Sequence, residues 1–236
     1  MIFHAEGGTK VKTIGESDLL AKDFMELGRR LGMKVQCAIT YGEQPVGNAV
    51  GSSLESREAL NVLMRRDTIP DLIDKATDIV SILLEMSGKK NGKELALEAL
   101  KSGRAERKMR EIIEAQGGAP EIKPEDIVIG DHTFEAYSNI SGYLLWISNT
   151  SIVEIARLAS SPKDKGSELI IGKKVGDRVE KGDLLFTIYA EKSTKLQRAL
   201  DEIEKIEIVG VGDRMKMLIH EVKDIPVIKK AFVLDR

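Results

Sequence analysis

Residues 44–60, QPVGNAVGSSLESREAL, connect an apolar stretch of strand character at 34–41 to a helix expected to begin near Ser53. Ser52 precedes Glu55 by three residues, the spacing at which a hydroxyl and a carboxylate each satisfy an unpaired amide of the first helical turn. Gly47 and Gly51 flank residues 48–50, so the backbone there can take positive φ or approach another group closely. A strand feeding a glycine-bearing turn and then a helix amino terminus suits an anion or cofactor in α/β proteins. The same pattern also describes a tight connection with no ligand, and pattern alone leaves both readings open.

Residues 16–31 place Leu20, Phe24, Leu27 and Leu31 four, three and four apart, which predicts one apolar helical stripe. Gly32 supplies the left-handed residue that commonly follows such a helix. Cys37 alternates with Val35 and Ile39 and reads as a small hydrophobe of the strand. The opening MIFHAEGG, residues 1–8, shows no period, so the expected order is α–β–turn–α. Residues 67–86 form the next helix, with Pro70 in its first turn and Gly88 behind it. Leu72, Ile73, Ala76, Ile79, Val80 and Leu83 cover a broad face, which predicts deep packing. Two further amphipathic helices are expected at 93–101 and 104–115. Their basic residues Arg104, Arg107, Lys108 and Arg110 alternate with Glu106 and Glu111, as on a solvated helix face.

Composition and period change at QGGAP, residues 116–120. This divides the chain into an α/β portion, residues 1–117, and an α+β carboxy-terminal domain, residues 118–236. Short strand-like runs at 127–130, 133–136, 142–147, 168–171 and 184–189 are separated by Gly, Asp, Asn and Ser turns. Helices are expected at 152–159 and 194–205, and strand-like runs resume from Ile206 to Arg236.

The 236 residues suffice for one large or two small domains with a substantial core. A net charge of −2 carries no electrostatic footprint for nucleic acid or an anionic membrane, and 4% aromatics offer few stacking platforms. No run of 18 apolar residues exists, and the first twelve residues are too polar for a signal peptide. The single cysteine, Cys37, fits a reducing cytoplasm.

Several chemistries fail on spacing. Gly166 and Gly172 do not form a phosphate loop, because Lys173 is followed by lysine and not by a hydroxyl. Gly210-Val-Gly212 lacks a third glycine. His4, His132 and His220 stand apart, without Cys or His at zinc-ligand spacing. No Ser–His–acid or Cys–His arrangement can be drawn.

The residues of the central stretch carry a resemblance. QPVGNAVGSSLESREAL resembles a signature of the class II nucleoside phosphorylases, the thymidine and pyrimidine-nucleoside phosphorylase family, in its archaeal AMP phosphorylase branch. GTKVKT at 8–13, RLGMKVQCAITYG at 30–42, REIIEAQGG at 110–118, SGYLLWISN at 141–149, PKDKG at 162–166 and KVGDRVEKGDLLFTIYAE at 174–191 support it. The resemblance runs from about residue 8 to about 205 and covers only the carboxy-terminal half of such an enzyme. It implies a partial α/β phosphorylase domain followed by a β-rich domain with a barrel-sandwich-like hairpin. It also implies a cytoplasmic homo-oligomer that uses phosphate to cleave AMP or a pyrimidine nucleoside into base and pentose 1-phosphate.

The family's phosphate-binding and base-binding motifs lie upstream of GTKVKT, so the chain is expected to need an amino-terminal half. The alternative is a non-catalytic fragment or assembly half. The resemblance implies a monovalent-cation site, K+, built from the carbonyls of Val46 and Ala49 and the carboxylate of Glu58. On residue type alone, Glu58 reads as a first-turn carboxylate favoured by the helix dipole. Lys163 and Lys165 are candidate substrate contacts in the complete enzyme, or residues of a solvated turn.

The segment 175–192 also resembles the hairpin of biotinyl and lipoyl carrier domains, with Lys192 where those domains carry the cofactor. Glu191 stands where modifying enzymes expect Met or Asp, and a helical sequence follows in place of a second strand. Protein from its native host is therefore expected to show no adduct on Lys192 by intact mass. A biotin or lipoyl increment there would establish the carrier reading.

Overall fold

The computed structural model describes residues 2–5 and 13–214 of the chain. Helix α1 (Ile14–Arg30) starts where the Thr13 hydroxyl accepts the Glu16 amide at 3.1 Å. It ends with the Met33 amide donating to the Gly28 carbonyl at 2.8 Å, around Gly32 at φ 70°. A strand β1 (Ile2–Ala5) precedes it and pairs in parallel with β2 (Ala38–Tyr41), Ile2 opposite Ala38. The order is therefore β–α–β and not the α–β expected. A four-residue strand has no period to show, and its existence depends on a partner some 36 positions away. The strand read over 34–41 is confined to 38–41, the residues that β1 pairs.

Strand β3 (Ala49–Val50) and helix α2 (Ser52–Leu63) follow, then α3 (Pro70–Met86), α4 (Gly92–Lys101) and α5 (Arg104–Ala115). The capping box at Ser52 forms only in part. The Glu55 carboxylate does reach back, to the Gly51 amide at 3.0 Å. Gly51, not Ser52, is the cap residue, and the Ser53 and Leu54 amides donate to Glu168, a residue 1% exposed.

The deep packing expected of α3 is not observed. Only Thr77 is buried along it, while Val80 and Leu83 are 40% and 60% exposed. Its polar side is engaged instead, Lys93 of α4 pairing with Asp74 at 3.0 Å and Asp78 at 2.5 Å. The apolar side opens on a cleft of about 620 Å³ shared with Phe24 and Leu27 of α1. On α5 the basic face is ion-paired, Arg104 with Glu98 and Arg110 with Glu106.

The second half holds β4 (His132–Tyr137), β5 (Gly142–Ile147), α6 (Asn149–Leu158), β6 (Glu168–Ile171), β7 (Arg178–Val179), β8 (Leu184–Ala190), α7 (Ser193–Ile203) and β9 (Val209–Gly212). No strand forms at 127–130. A 3-10 turn, Pro124–Asp126, precedes that run, and its one ladder-like bond joins the Gly130 amide to the Gly166 carbonyl at 2.8 Å. Two antiparallel sheets result, ordered β3-β6-β8-β4 and β7-β5-β9. Their inward faces and α6 and α7 share one core, with Ile155, Leu169, Val179, Ile188 and Ala199 wholly buried. β7 and β8 belong to different sheets, so the turn between them carries the chain across. Lys192 is the exposed cap residue of α7. The expected strand-like tail begins as β9; the rest of it, with His220, lies outside the described residues. Among the described residues no helix is long and apolar enough to cross a membrane.

β3 is contributed by the first half of the chain yet is the edge of a sheet otherwise drawn from 132–190. It turns into α2 at Gly51, whose φ is 123° and where an added Cβ would lie 2.5 Å from the Glu168 Cγ. Gly51→Ala is therefore expected to cost about 2 kcal/mol or more of unfolding free energy. Gly88→Ala, at φ 86° with open space around it, should cost roughly 1 kcal/mol. Equal urea midpoints for the two variants would show that Glu168 does not constrain the turn.

Candidate functional site

Glu58 stands two turns into α2, beyond the first turn where a helix dipole acts, so its role there is not the one residue type suggested. Its carboxylate accepts the Asn48 amide at 2.8 Å and also the Ala49 amide. Asn48 turns its carbonyl the other way, accepting from the Ile171 amide of β6 at 2.7 Å. In an antiparallel ladder the next residue then presents both backbone groups away from the partner strand. Ala49 thus offers its carbonyl on the side where Glu58 lies. Gly47, at φ 72°, is required because a Cβ would collide with the Glu58 carboxylate.

The other side of the turn is held from two directions. Asp71, at the start of α3, accepts the Gly47 amide at 3.1 Å. The Lys174 ammonium lies 2.9 Å from Asp71, donates to the Pro45 carbonyl at 2.6 Å and also donates to the Gly47 carbonyl. Next to it, the Val175 amide donates to the Gln44 side-chain oxygen at 2.9 Å.

Two clefts flank the turn. Val46 lines one of about 450 Å³ with Tyr41, Gln44, Asp71, Asp74 and Lys75. Ala49 and Glu58 line another of about 310 Å³ with Asn48, Arg57, Asn61 and Tyr189. The structure therefore brings Ala49 and Glu58 together and sets Val46 on the opposite cleft. Lys163 and Lys165 are exposed in the turn before β6. Lys165 lines a third cleft, about 720 Å³, with Ser52, Ser53, Glu55, Ser56 and Met109; Lys163 lines none of the three. Among the described residues no group of three or more His, Cys, Asp or Glu side chains converges as a metal site.

Burial pushes the Glu58 carboxyl above the usual carboxylate range, against the opposing pull of the Asn48 and Ala49 amides and Lys174. Glu168 is raised for the same first reason, the Ser53 and Leu54 amides opposing. Burial lowers the Lys75 ammonium, and Asp71 works against it. Sequence reasoning passed over Asp71, Lys174, Gln44 and Glu168. Only Asp71 left a trace, as the acid after a helix-opening proline; the others act through partners more than a hundred residues distant.

Residues 156–208 match the family described as the pyrimidine nucleoside phosphorylase C-terminal domain. The AMP phosphorylase of Methanosarcina acetivorans is 50% identical over 200 residues, 84% of this chain and 40% of the relative. That of Thermococcus kodakarensis is 52% identical over 207 residues, 86% and 41% respectively. That of Thermofilum pendens is 43% identical over 232 residues, 97% and 45%. Over more than four-fifths of its length the chain corresponds to the carboxy-terminal part of AMP phosphorylases, spanning about 40% of the length of the relatives it matches.

A carboxyl whose value is raised in the folded state stabilises the fold below its unfolded value, near 4.3. That stability is lost as pH rises through the folded value. The stability of the parent chain relative to Glu168→Gln should therefore decline between about pH 4 and 7. Urea unfolding at both pH values measures it. A relative stability that climbs with pH would mean the two amides outweigh burial.

Proposed function

We propose that this chain forms the carboxy-terminal part of a phosphorylase acting on AMP. In that reaction a phosphate oxygen bonds to C1′ of the ribose while the C1′–N bond breaks. The base leaves with the bonding pair and takes up a proton, and the sugar becomes a 1-phosphate, here ribose 1,5-bisphosphate. The observation that carries the reading is identity near 50% to AMP phosphorylases across more than four-fifths of the chain.

To the cleft that Ala49 and Glu58 share we assign a monovalent cation, K+, held by the Ala49 carbonyl and the Glu58 carboxylate; Val46, the third ligand the resemblance implied, lines the other cleft and is left out of this set. The fit rests on hard oxygen donors and on the Ala49 carbonyl lying on the Glu58 side. When bound, such an ion supplies charge that fixes the turn. The chain's own residues orient it: Asp71 and Glu58 hold the amides of residues 47–49 from opposite sides. Lys165, beside Ser52 and Ser53 at the start of α2, is the better placed of the two loop lysines for an anionic substrate group. Lys163 would meet substrate only in the assembled enzyme.

The β1–α1–β2 unit supports a partial α/β domain over residues 1–117, and the two antiparallel sheets around one core support a barrel-sandwich-like domain over 118–236. Parallel sheets are normally covered on both faces. The exposed Leu27, Leu31, Val80 and Leu83 therefore favour further amino-terminal phosphorylase sequence, on this or a separate polypeptide, as cover. The assembled enzyme is proposed to be a cytoplasmic homo-oligomer.

The 236-residue chain alone is expected to release no adenine from AMP and phosphate above background. Co-expressed with the amino-terminal part of the Thermococcus kodakarensis relative, it should release adenine, and Glu58→Ala should reduce that rate by about a hundredfold or more. Adenine release by the chain alone would refute its dependence on added sequence. An inactive but assembled complex would refute the phosphorylase reading.

A further inference from the structure

The carbonyls of the central turn are divided between two positions. Glu58 stands at one. At the other, the Pro45 and Gly47 carbonyls and the Asp71 carboxylate converge on the Lys174 ammonium, whose three protons match three acceptors. Two backbone carbonyls and a carboxylate around a compact +1 charge form the donor set of a potassium or ammonium ion. The ion here is covalently tethered. Only 19% of the Lys174 side chain is exposed, against 63% for Lys22 in an ordinary surface pair with Asp18.

The tether itself is rigid. The Lys174 amide donates to the Asp177 carboxylate at 2.7 Å, and the Asp177 amide returns to the Lys174 carbonyl at 3.0 Å. Gly176, at φ 93°, donates to the Leu144 carbonyl at 2.8 Å, and the Leu144 amide donates to the Asp177 carbonyl at 2.9 Å. The turn carrying Lys174 is thereby fixed to β5, and the Val175–Gln44 bond holds the next residue to the central turn.

We propose that Lys174 is a resident cation of the central turn: a positioning residue through which the carboxy-terminal sheets set the backbone at 45–49. It acts on the peptide groups that precede the Glu58 side of the turn, and does not depend on which reaction the assembled enzyme performs.

Three measurements on the full chain test this. Lys174→Met keeps the aliphatic stem and removes the charge. It should lower Tm by roughly 5 °C and shift the Gly47, Asn48 and Ala49 amide resonances. Lys174→Ala leaves the donor set open to solution cations. Its Tm should rise saturably with K+ or methylammonium but not with tetramethylammonium, whose methyl groups keep oxygen donors away from its charge, while the parent chain shows no such response. In the parent chain, the Lys174 ammonium should be visible by nitrogen-edited NMR at neutral pH, protected from exchange where surface lysines are not. That third reading stands even if Lys174→Ala fails to fold. A Lys174→Met chain with parental Tm, a Tm loss without cation rescue or shifted turn amides, or an unprotected ammonium would each overturn the proposal.

Discussion

The amides of Ser53 and Leu54, at the start of α2, donate to a carboxylate that follows them by 115 and 114 residues. A helix leaves its first amides without internal partners, and here the missing acceptor is built into another part of the chain. Glu168 can serve because it opens β6, and β6 is where β3 is paired. Pairing and capping therefore form together: the strand aligns Ala49 opposite Ile170, and the helix that grows from that strand ends on the neighbouring residue of the same sheet. Burying a carboxylate is costly unless it is well bonded, and two converging amides at a helix amino terminus provide such bonding. The geometry at Gly51 follows from that contact, since any side chain there would occupy the space of the Glu168 methylene.

From that anchor, the arrangement of the central turn becomes intelligible. Between β2 and β3 the chain runs without regular structure, and its peptide groups would be unsatisfied if only local partners were counted. They are distributed among three elements instead. Glu58 of α2 takes the Asn48 and Ala49 amides, Asp71 of α3 takes that of Gly47, and Lys174 of the carboxy-terminal half takes the Pro45 and Gly47 carbonyls. A turn held by charged side chains from opposite sides is stiff and rich in oriented dipoles, which is what recognition of an anion or a small cation requires. The well-packed core lies elsewhere, between the sheets and α6 and α7, and acts as the rigid body from which Lys174 and Glu168 reach.

Helix α3 makes the opposite point. Its apolar face is broad, yet Val80 and Leu83 remain largely exposed, along with Leu27 and Leu31 of α1. The stripe is a property of the sequence, whereas its burial depends on what else is present to cover it.

The helices are legible in the sequence, because a repeat near 3.6 and the Pro and Gly signals at their ends are local. α3 through Met86, α4 through Lys101 and α5 from Arg104 to Ala115 end where the pattern ends. Equally legible there are β5 and β6, and the likeness to AMP phosphorylases carried by QPVGNAVGSSLESREAL. Tertiary structure alone decided that Ile2–Ala5 is a strand, that residues 127–130 are not, and that Gly51 takes the cap from Ser52. It alone brought Lys174 and Asp71 to the central turn and Glu168 to the start of α2. Each of these depends on a partner far along the chain, and a hydrogen bond across a hundred residues leaves no period, spacing or composition by which either partner could announce the other.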